Sequence, residues 1–509
     1  MSVPPLIAAT EGRRKTVASH LPIILVILVV LLLLIFLSDR TLQADSSEWL
    51  ESARRLAATG DTGFQHRNIL FSYVLALPLL LGMDPVLFGL VFCGLSLLVS
   101  VYLLYRINLA HVSPSLSAYV SLLFAISYAL LRYATQVFTD IPTVVFVMAM
   151  VYFQFQFLDN RKPLHLVLAY FFASAAVSMR YASAFFVFAF LYHAWITRRD
   201  WKWHLLGIVA AVVPFIPQLI YNVRHLGGPF VISYAASHPI FGLEYFFEDL
   251  QAGQRYQLLA YLRFLLLDFR GLFALLTPVS LIGAVLSFRR MRTSRAVYLM
   301  LFFFSFVLLL SFYAYFSNRY LIPVLIPCFI WLAVGLGEAQ RWLWGRKAMW
   351  RIVWILALAA LAYGMFEISF QVIQSSRAVH EARDTAYSEL NQFVRDGDVV
   401  ITLSGQVNSV RRLSTRQTEV VGPDALTLDL LRQYEGRGVY VVWTPTRLAS
   451  EGGSWSLSID AVRDRLEPVH AVQTKKVVEL LFYRTLRLIH KESLIPAEEW
   501  IIYRAVRED

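Results

Sequence analysis

From position 21 to about position 370, long apolar runs alternate with short polar breaks, and then the alternation stops. Runs of about 20 residues match the roughly 30 Å of bilayer hydrocarbon that a helix must cross. The pattern predicts spans near 21–37, 85–105, 114–131, 141–158, 164–179, 182–197, 205–221, 271–288, 296–315, 320–336 and 352–370. That is about eleven crossings. The piece 69–82 is also apolar but short and interrupted by Pro78; it either lies at the interface or dips in and returns. Arg13-Arg14-Lys15 precede the first run, as in a signal peptide. The run is longer than the usual ~7–15-residue apolar core and no small-residue cleavage site follows, so it reads as a retained span.

Beyond Ser375 the periodicities are those of a soluble fold. Ala386, Leu390, Phe393 and Val394 share one helical face, Asp396-Gly397-Asp398 ends it, and Val399–Leu403 reads as a strand. Val439–Trp443 and Trp500–Tyr503 read as further strands. The predicted fold class is therefore a polytopic α-helical membrane protein, residues 1–370, followed by a soluble α/β domain, residues 371–509. A tail of that size is large enough to fold alone.

Composition sharpens this picture. The 509 residues are 58% hydrophobic and 16% charged, with a mean hydropathy of +0.57, whereas soluble domains are about a quarter charged. The net charge of +11 would be compatible with nucleic acid, but its distribution is not. Residues 1–370 hold 28 Lys+Arg against 16 Asp+Glu, and residues 371–509 hold 18 against 19. The basic excess belongs to the membrane part, where orientation accounts for it. With no basic run interleaved with aromatics in the tail, no nucleic-acid partner is expected. The two cysteines, Cys93 and Cys328, both fall in apolar runs, so neither a disulfide framework nor a Cys-based metal site is expected.

Alternate loops carry 17 of the 28 basic residues, including Arg13-Arg14-Lys15, Arg161-Lys162 and the four arginines of 289–295. The rule that positive loops stay inside puts the N-terminus in the cytoplasm, and an odd span count puts the tail outside the plasma membrane. Two long segments then face outward, Ser38 to about Arg67 and Asn222 to Arg270. In the first, Trp49, Ala53, Leu56 and Ala57 fall at helical spacing opposite Glu48, Glu51, Arg54 and Arg55, the pattern of an amphipathic helix on a membrane surface. Asp45 opens this helix and Asp140 opens a later span, both on the same face. Acids beside hydrocarbon are costly, and a pair at one face reads as a working site. Thr139-Asp140 ahead of Pro142 is equally a good helix N-terminus.

The order of features resembles the GT-C-fold glycosyltransferases, in particular the bacterial and archaeal relatives of protein O-mannosyltransferases and of the lipid A aminoarabinose transferase. The matching residues run across about 20–370: Asp45, Trp49, Ala53, Leu56 and Gly60 in the first outer loop; His66-Arg67-Asn68-Ile69-Leu70; Asp140 with Pro142; Arg180-Tyr181; and Arg319-Tyr320-Leu321-Ile322-Pro323. The resemblance implies a polyprenyl-phosphate-linked sugar as donor and a glycan, lipid or protein as acceptor. Such a transfer needs a carboxylate to take the acceptor proton and cations to stabilise the departing phosphate. Asp45 is the candidate base, and Asp140 either shares a divalent metal ion with it or orients the acceptor. Arg180, Arg319 and Arg67 are candidates for the phosphate, since a guanidinium forms paired bonds to it. Glu48, His66 and Tyr320 are candidates for acceptor or sugar contacts. Many relatives carry a second acid directly after the first; here Ser46 and Ser47 follow Asp45, which bears on any metal site built from adjacent carboxylates.

Plainer readings compete. Glu48 and Glu51 are also the polar side of an amphipathic helix, and Arg180 and Arg319 near span ends are placed to snorkel. A transporter or flippase of lipid-linked sugars is the alternative function. It would show a midplane site or internal repeats, and neither is legible in the chain.

Overall fold

The computed structural model describes residues 5–40, 44–63, 68–229, 231, 257–266, 274–313, 318–346, 348–402, 416–421, 426–434, 437–443, 448–450, 453–455, 460–474 and 499–506. The chain forms two compact units. The first comprises Met1–Ser38, Phe64–Tyr73 and Phe88–Ser369; the second comprises Asp39–Gly63, Val74–Leu87 and Phe370–Asp509.

Helices run in the order α1 Pro5–Leu37, α2 Ala44–Thr59, α3 Leu70–Leu80, α4 Pro85–Asn108, α5 Pro114–Ile126, α6 Tyr128–Ala134, α7 Asp140–Asn160 and α8 Pro163–Met179. They continue with α9 Val187–Ile196, α10 Trp201–Leu226, α11 Gln257–Leu266, α12 Thr277–Arg290, α13 Thr293–Leu310, α14 Leu325–Trp344 and α15 Ala348–Glu389. Each of the eleven predicted apolar runs overlaps a helix; the run at 296–315 outlasts its helix, which ends at Leu310, and positions 271–273 and 314–315 lie outside the described residues. Among the described residues seven helices, or eight with one bent pair, are long and apolar enough to cross a membrane. Four predictions need amending in detail. The run at 114–131 is α5 and α6, bent by 65° at Ser127. The runs at 182–197 and 320–336 each begin with a 3-10 turn, Tyr181–Phe186 and Asn318–Val324. The last run does not stop at Phe370; α15 continues to Glu389 and contributes its final turns to the tail. Pro78 lies inside the short α3, so this apolar piece is a helix of eleven residues rather than a full span.

Within the first unit, α14 is almost wholly buried, whereas α1, α10 and the first turns of α15 leave apolar side chains uncovered, among them Leu32, Ile35, Phe36, Val209, Val213 and Leu356. Apolar faces of that extent on helices of spanning length are suited to lipid. The protein is a multi-pass membrane protein. One helix contact in the bundle is made backbone to backbone. A Cβ on Gly283 of α12 would lie 1.8 Å from the Trp331 carbonyl oxygen of α14, and one on Gly335 would lie 2.3 Å from the Val279 carbonyl oxygen. Ser280 Oγ donates to the Cys328 carbonyl at 2.8 Å across the same contact. Small residues let helices approach this closely where no hydrophobic drive separates protein from lipid.

In the second unit the sheet is mixed. Strands β1 Val399–Ile401, β2 Glu419–Val421, β3 Val439–Trp443, β4 Leu448–Ser450, β5 Gly453–Trp455, β6 Leu466–Gln473 and β7 Glu499–Ala505 are present. The main sheet has the order β2-β1-β3-β7-β6, with β1 parallel to β2 and β3, and β7 antiparallel to β3 and β6. Alternation in β1 and β3 sends Val400, Tyr440 and Val442 to one face, against Ala386, Tyr387 and Leu390 of the end of α15 and its following turn. Val399, Ile401, Val439 and Val441 go to the other face, with Leu426, Val462 and Leu466. Gly397, at φ +90°, makes the turn into β1, a left-handed position that glycine fills without strain. Asp398 secures it, its carboxylate accepting from the Arg395 N–H at 2.7 Å and the Gly438 N–H at 3.2 Å. The expected strands at 399–403, 439–443 and 500–503 all lie in this sheet; residue 403 is outside the described residues.

Gly283→Ala tests the backbone contact. Forcing a methyl into it should destabilise by about 1–3 kcal/mol. Gly94→Ala in α4 meets only Leu34 Cδ1 at 3.5 Å and should be neutral or stabilising by up to ~1 kcal/mol. Thermal unfolding of the detergent-solubilised protein distinguishes them; equal melting of both variants would mean the close approach is not obligatory.

Candidate active site

In the first unit three distant stretches bring Asp140, Arg180 and Arg319-Tyr320 together. Asp140 opens α7, as the sequence predicted. The cap itself differs, because the Thr139 side chain makes no capping bond and Asp140 turns instead to Arg180, whose Nη1 donates to Oδ1. Arg180 is where α8 stops. Its backbone is extended, φ −157° and ψ 116°, and its N–H closes on the Ala176 carbonyl. The last carbonyls of α8 are met by Asn68, whose side-chain amide donates to the carbonyls of Val177 at 2.9 Å and Ser178 at 3.1 Å. Helix ends leave such carbonyls unpaired, and a buried end needs partners. Gln218 of α10 supports the same corner by accepting from the Ile69 N–H at 3.1 Å.

The Arg180 and Asp140 side chains are only 14% and 1% exposed. That burial removes the snorkelling account for Arg180, since its head is held inward by a carboxylate. The Tyr320 ring covers it at 4.4 Å. Arg319 stacks at 5.9 Å from the same ring and from that of Phe138. Guanidinium over an aromatic face is attractive, and most so where water is excluded. A cleft of about 10 Å³, enough for about one water, is lined by Asp140, Thr143, Arg180, Ser183, Arg319 and Tyr320. Asp140 Oδ2 and Ser183 Oγ are buried with no hydrogen-bond partner among the described residues. Buried polar atoms of that kind are exceptional and call for an explanation.

Tyr320, expected to touch sugar or acceptor, packs on both arginines. Arg132 was not foreseen. It donates to Tyr128 on the short α6 and lies 5.5 Å from the rings of both Tyr128 and Tyr133. Tyr133 meets Phe138 edge-on at 5.4 Å, so three arginines and their aromatic partners form one continuous row. The signal was present in the sequence, as an arginine four residues after a tyrosine inside an apolar run.

Asp45 and Glu48 belong to the second unit, in the first turns of α2. Trp49, Leu50 and Ala53 are buried, while Arg54 and Arg55 are exposed and Glu51 accepts from Arg55 at 3.2 Å; the amphipathic helix is therefore as predicted. His66 and Arg67 lie outside the described residues. Among the described residues no three of His, Cys, Asp and Glu gather in a set that could hold a metal ion. Asp140 brings one uncommitted oxygen with a guanidinium on the other, a poor fit to Mg2+ or Ca2+, which take six or more oxygens.

Comparison with known proteins bears on the fold and the family. Residues 66–221 match the family model for dolichyl-phosphate-mannose-protein mannosyltransferases, a stretch that contains Asp140 and Arg180. No curated protein matches the chain. Among solved structures, ArnT from Cupriavidus metallidurans bound to undecaprenyl phosphate is similar over 95% of this chain and 98% of its own, with 13% identity and a TM-score of 0.57. The Archaeoglobus fulgidus oligosaccharyltransferase, crystallised with zinc and sulfate, covers 94% of this chain and 88% of its own at 9% identity, with a TM-score of 0.59. The fold is that of the GT-C membrane enzymes. The family model matches less than half of the chain, while the likeness of fold extends over nearly all of it.

Removing Arg180 alone strands a buried carboxylate, so Arg180→Met should destabilise by about 3–5 kcal/mol. The double change Asp140→Leu with Arg180→Met should regain most of this. Thermal unfolding of the single and double variants measures it; a double variant no more stable than the single one would show that the pair is not coupled.

Proposed function

We propose that the protein transfers a sugar from a polyprenyl-phosphate donor to an acceptor hydroxyl at the outer face of the plasma membrane, with inversion at the anomeric carbon. The observation that carries this reading is the convergence of Arg180 and Arg319 on Tyr320, beside the unmatched Asp140 Oδ2 and Ser183 Oγ. Two guanidiniums locked in place suit a phosphate that gains charge as it leaves. Support also comes from ArnT, of similar fold, which binds undecaprenyl phosphate.

In this reading the acceptor oxygen attacks the anomeric carbon from the face opposite the phosphate. The C–O bond to sugar forms as the bond to the phosphate oxygen breaks, and polyprenyl phosphate departs with the electron pair. Asp45 takes the acceptor proton, a role that rests on its place at the start of the first amphipathic helix. Asp140 holds Arg180 and turns its second oxygen toward the acceptor or sugar. Tyr320 spaces the two guanidiniums, and Arg67 is a further cation for the phosphate. Glu48 and His66 contact acceptor or sugar. A divalent ion shared by Asp45 and Asp140 would instead join the two acids in one site; the Arg180 charge beside Asp140 weighs against that arrangement. A cleft fit for one water must widen before a phosphate enters.

Incubating purified protein with a panel of radiolabelled polyprenyl-phosphate sugars tests the reading directly. Transfer from at least one is expected, with Arg319→Ala weakening donor binding and Arg319→Lys restoring it only in part, because lysine lacks the planar fork. Asp45→Asn should keep the melting temperature and cost ~10²–10⁴ in rate. Near-normal turnover in Asp45→Asn would remove it as the base, and vectorial movement of intact donor without transfer would favour the flippase.

A further inference from the structure

At the opposite end of α14 from Arg319 a second cavity opens, of about 280 Å³. Pro323 at the first cavity and Gly337 at the second are 14 positions apart, about 20 Å at 1.5 Å per helical residue. The cavity lies where the turn between α4 and α5 meets the last turns of α14, and its walls are divided by chemistry. His111, Ser113, Gln340 and Arg341 supply polar groups, and Leu116 and the Trp344 ring supply apolar surface. Its shape depends on Gly337, where a Cβ would lie 2.8 Å from Val112 Cγ1. His111 Nε2 is buried at this wall with no hydrogen-bond partner among the described residues. Burial, with the Arg295 charge added, pushes His111 down to about 4, so the imidazole is neutral and Arg341 is the cation of the cavity.

The surroundings are strongly basic. Arg290 of α12 and Arg341 share the single carboxylate Glu338, leaving net positive charge at the rim. Arg289 precedes Arg290 in the chain and is exposed, while Arg292 pairs with Asp159 at 3.4 Å. Trp342 and Trp344 are exposed; the Arg346 guanidinium lies 4.8 Å from the Trp342 ring and Arg351 donates to the Trp344 carbonyl at 3.0 Å. Tryptophans with arginines at the ends of spanning helices mark the headgroup level of a bilayer. The volume is just under the ~300–1,000 Å³ of sites that enclose drug-sized ligands. It suits a headgroup with the start of its chains, and exceeds what a bare anion would fill.

We propose that this cavity binds the headgroup of an anionic phospholipid, the phosphate on Arg341 and Gln340 and the glycerol and first methylenes against Leu116 and Trp344. Basic pockets between spanning helices take acidic lipids by the same chemistry. The site is separate from the Arg180–Arg319 cleft and independent of the transfer reaction.

The test is native mass spectrometry of the full chain equilibrated in micelles with equal amounts of dioleoyl phosphatidylglycerol and dioleoyl phosphatidylcholine. Wild type should retain the anionic lipid about fivefold over the zwitterionic one, the attraction expected of one arginine at an anionic surface. Arg341→Gln should bring the ratio to about one. Gln340→Trp, which fills the cavity without removing charge, should do the same. Arg199→Gln, an exposed arginine of another basic loop, should leave the ratio unchanged, as should millimolar inorganic phosphate. Equal retention of the two lipids by wild type would overturn the proposal. So would an equal loss in Arg199→Gln, which would mean general surface attraction, or displacement by inorganic phosphate, which would make the ligand a free anion.

Discussion

The first unit is organised around one constraint, that an ion pair is buried where a spanning helix begins. Asp140 and Arg180 are brought together at the ends of α7 and α8, and each would be prohibitively expensive there alone. The chain therefore has to stop α8 at Arg180, meet the carbonyls that this stop exposes, and start α7 at Asp140. Asn68 does the second of these tasks from a distant part of the chain, and Gln218 holds the backbone beside it by accepting from the Ile69 N–H. Tyr320 then closes over the guanidinium and carries Arg319 with it. A pair of this kind is weak support for stability, since an apolar pair of similar volume is often as good. What the pair does fix is the Arg180 guanidinium, held between the Asp140 carboxylate and the Tyr320 ring.

The helices that hold this pair divide between two solvents. α14 is buried on nearly every side, and its neighbour α12 reaches its backbone through Gly283 and Gly335. α1, α10 and the start of α15 keep apolar side chains uncovered on their outward faces. Contact without a Cβ fixes α12 against α14, and so fixes the relation between the two ends of α14. One end carries Arg319 and Tyr320, the other Arg341 and Trp344.

In the second unit the same sequence obeys different rules. Period-two alternation in β1 and β3 divides valines between two apolar faces, one of them covered by the end of α15. That helix begins with lipid-suited residues such as Ile352 and Leu356 and ends with Ala386 and Tyr387 in the tail's core. The change in what its surface must satisfy happens along one continuous helix, so no break in hydrogen bonding marks it.

Composition and periodicity by themselves determined that this is a many-span membrane protein with a mixed α/β tail, because about 20 apolar residues in a row and alternation of valines leave few alternatives. Local sequence also determined where α7 begins and that α2 is amphipathic. It did not determine the bend at Ser127, the 3-10 turns before α9 and α14, or the length of α15, since each depends on packing that local propensity does not contain. The partners of the charged residues were decided only by tertiary structure. Asp140 and Arg180 are forty residues apart, and Tyr320 is farther still, so nothing in the chain's order says that they touch. Arg132 carried a readable signal as a cation in an apolar run, yet its place in the row of arginines and rings depends on where α6 bends. Burial decides what such a charge does, and burial is a property of the assembled helices.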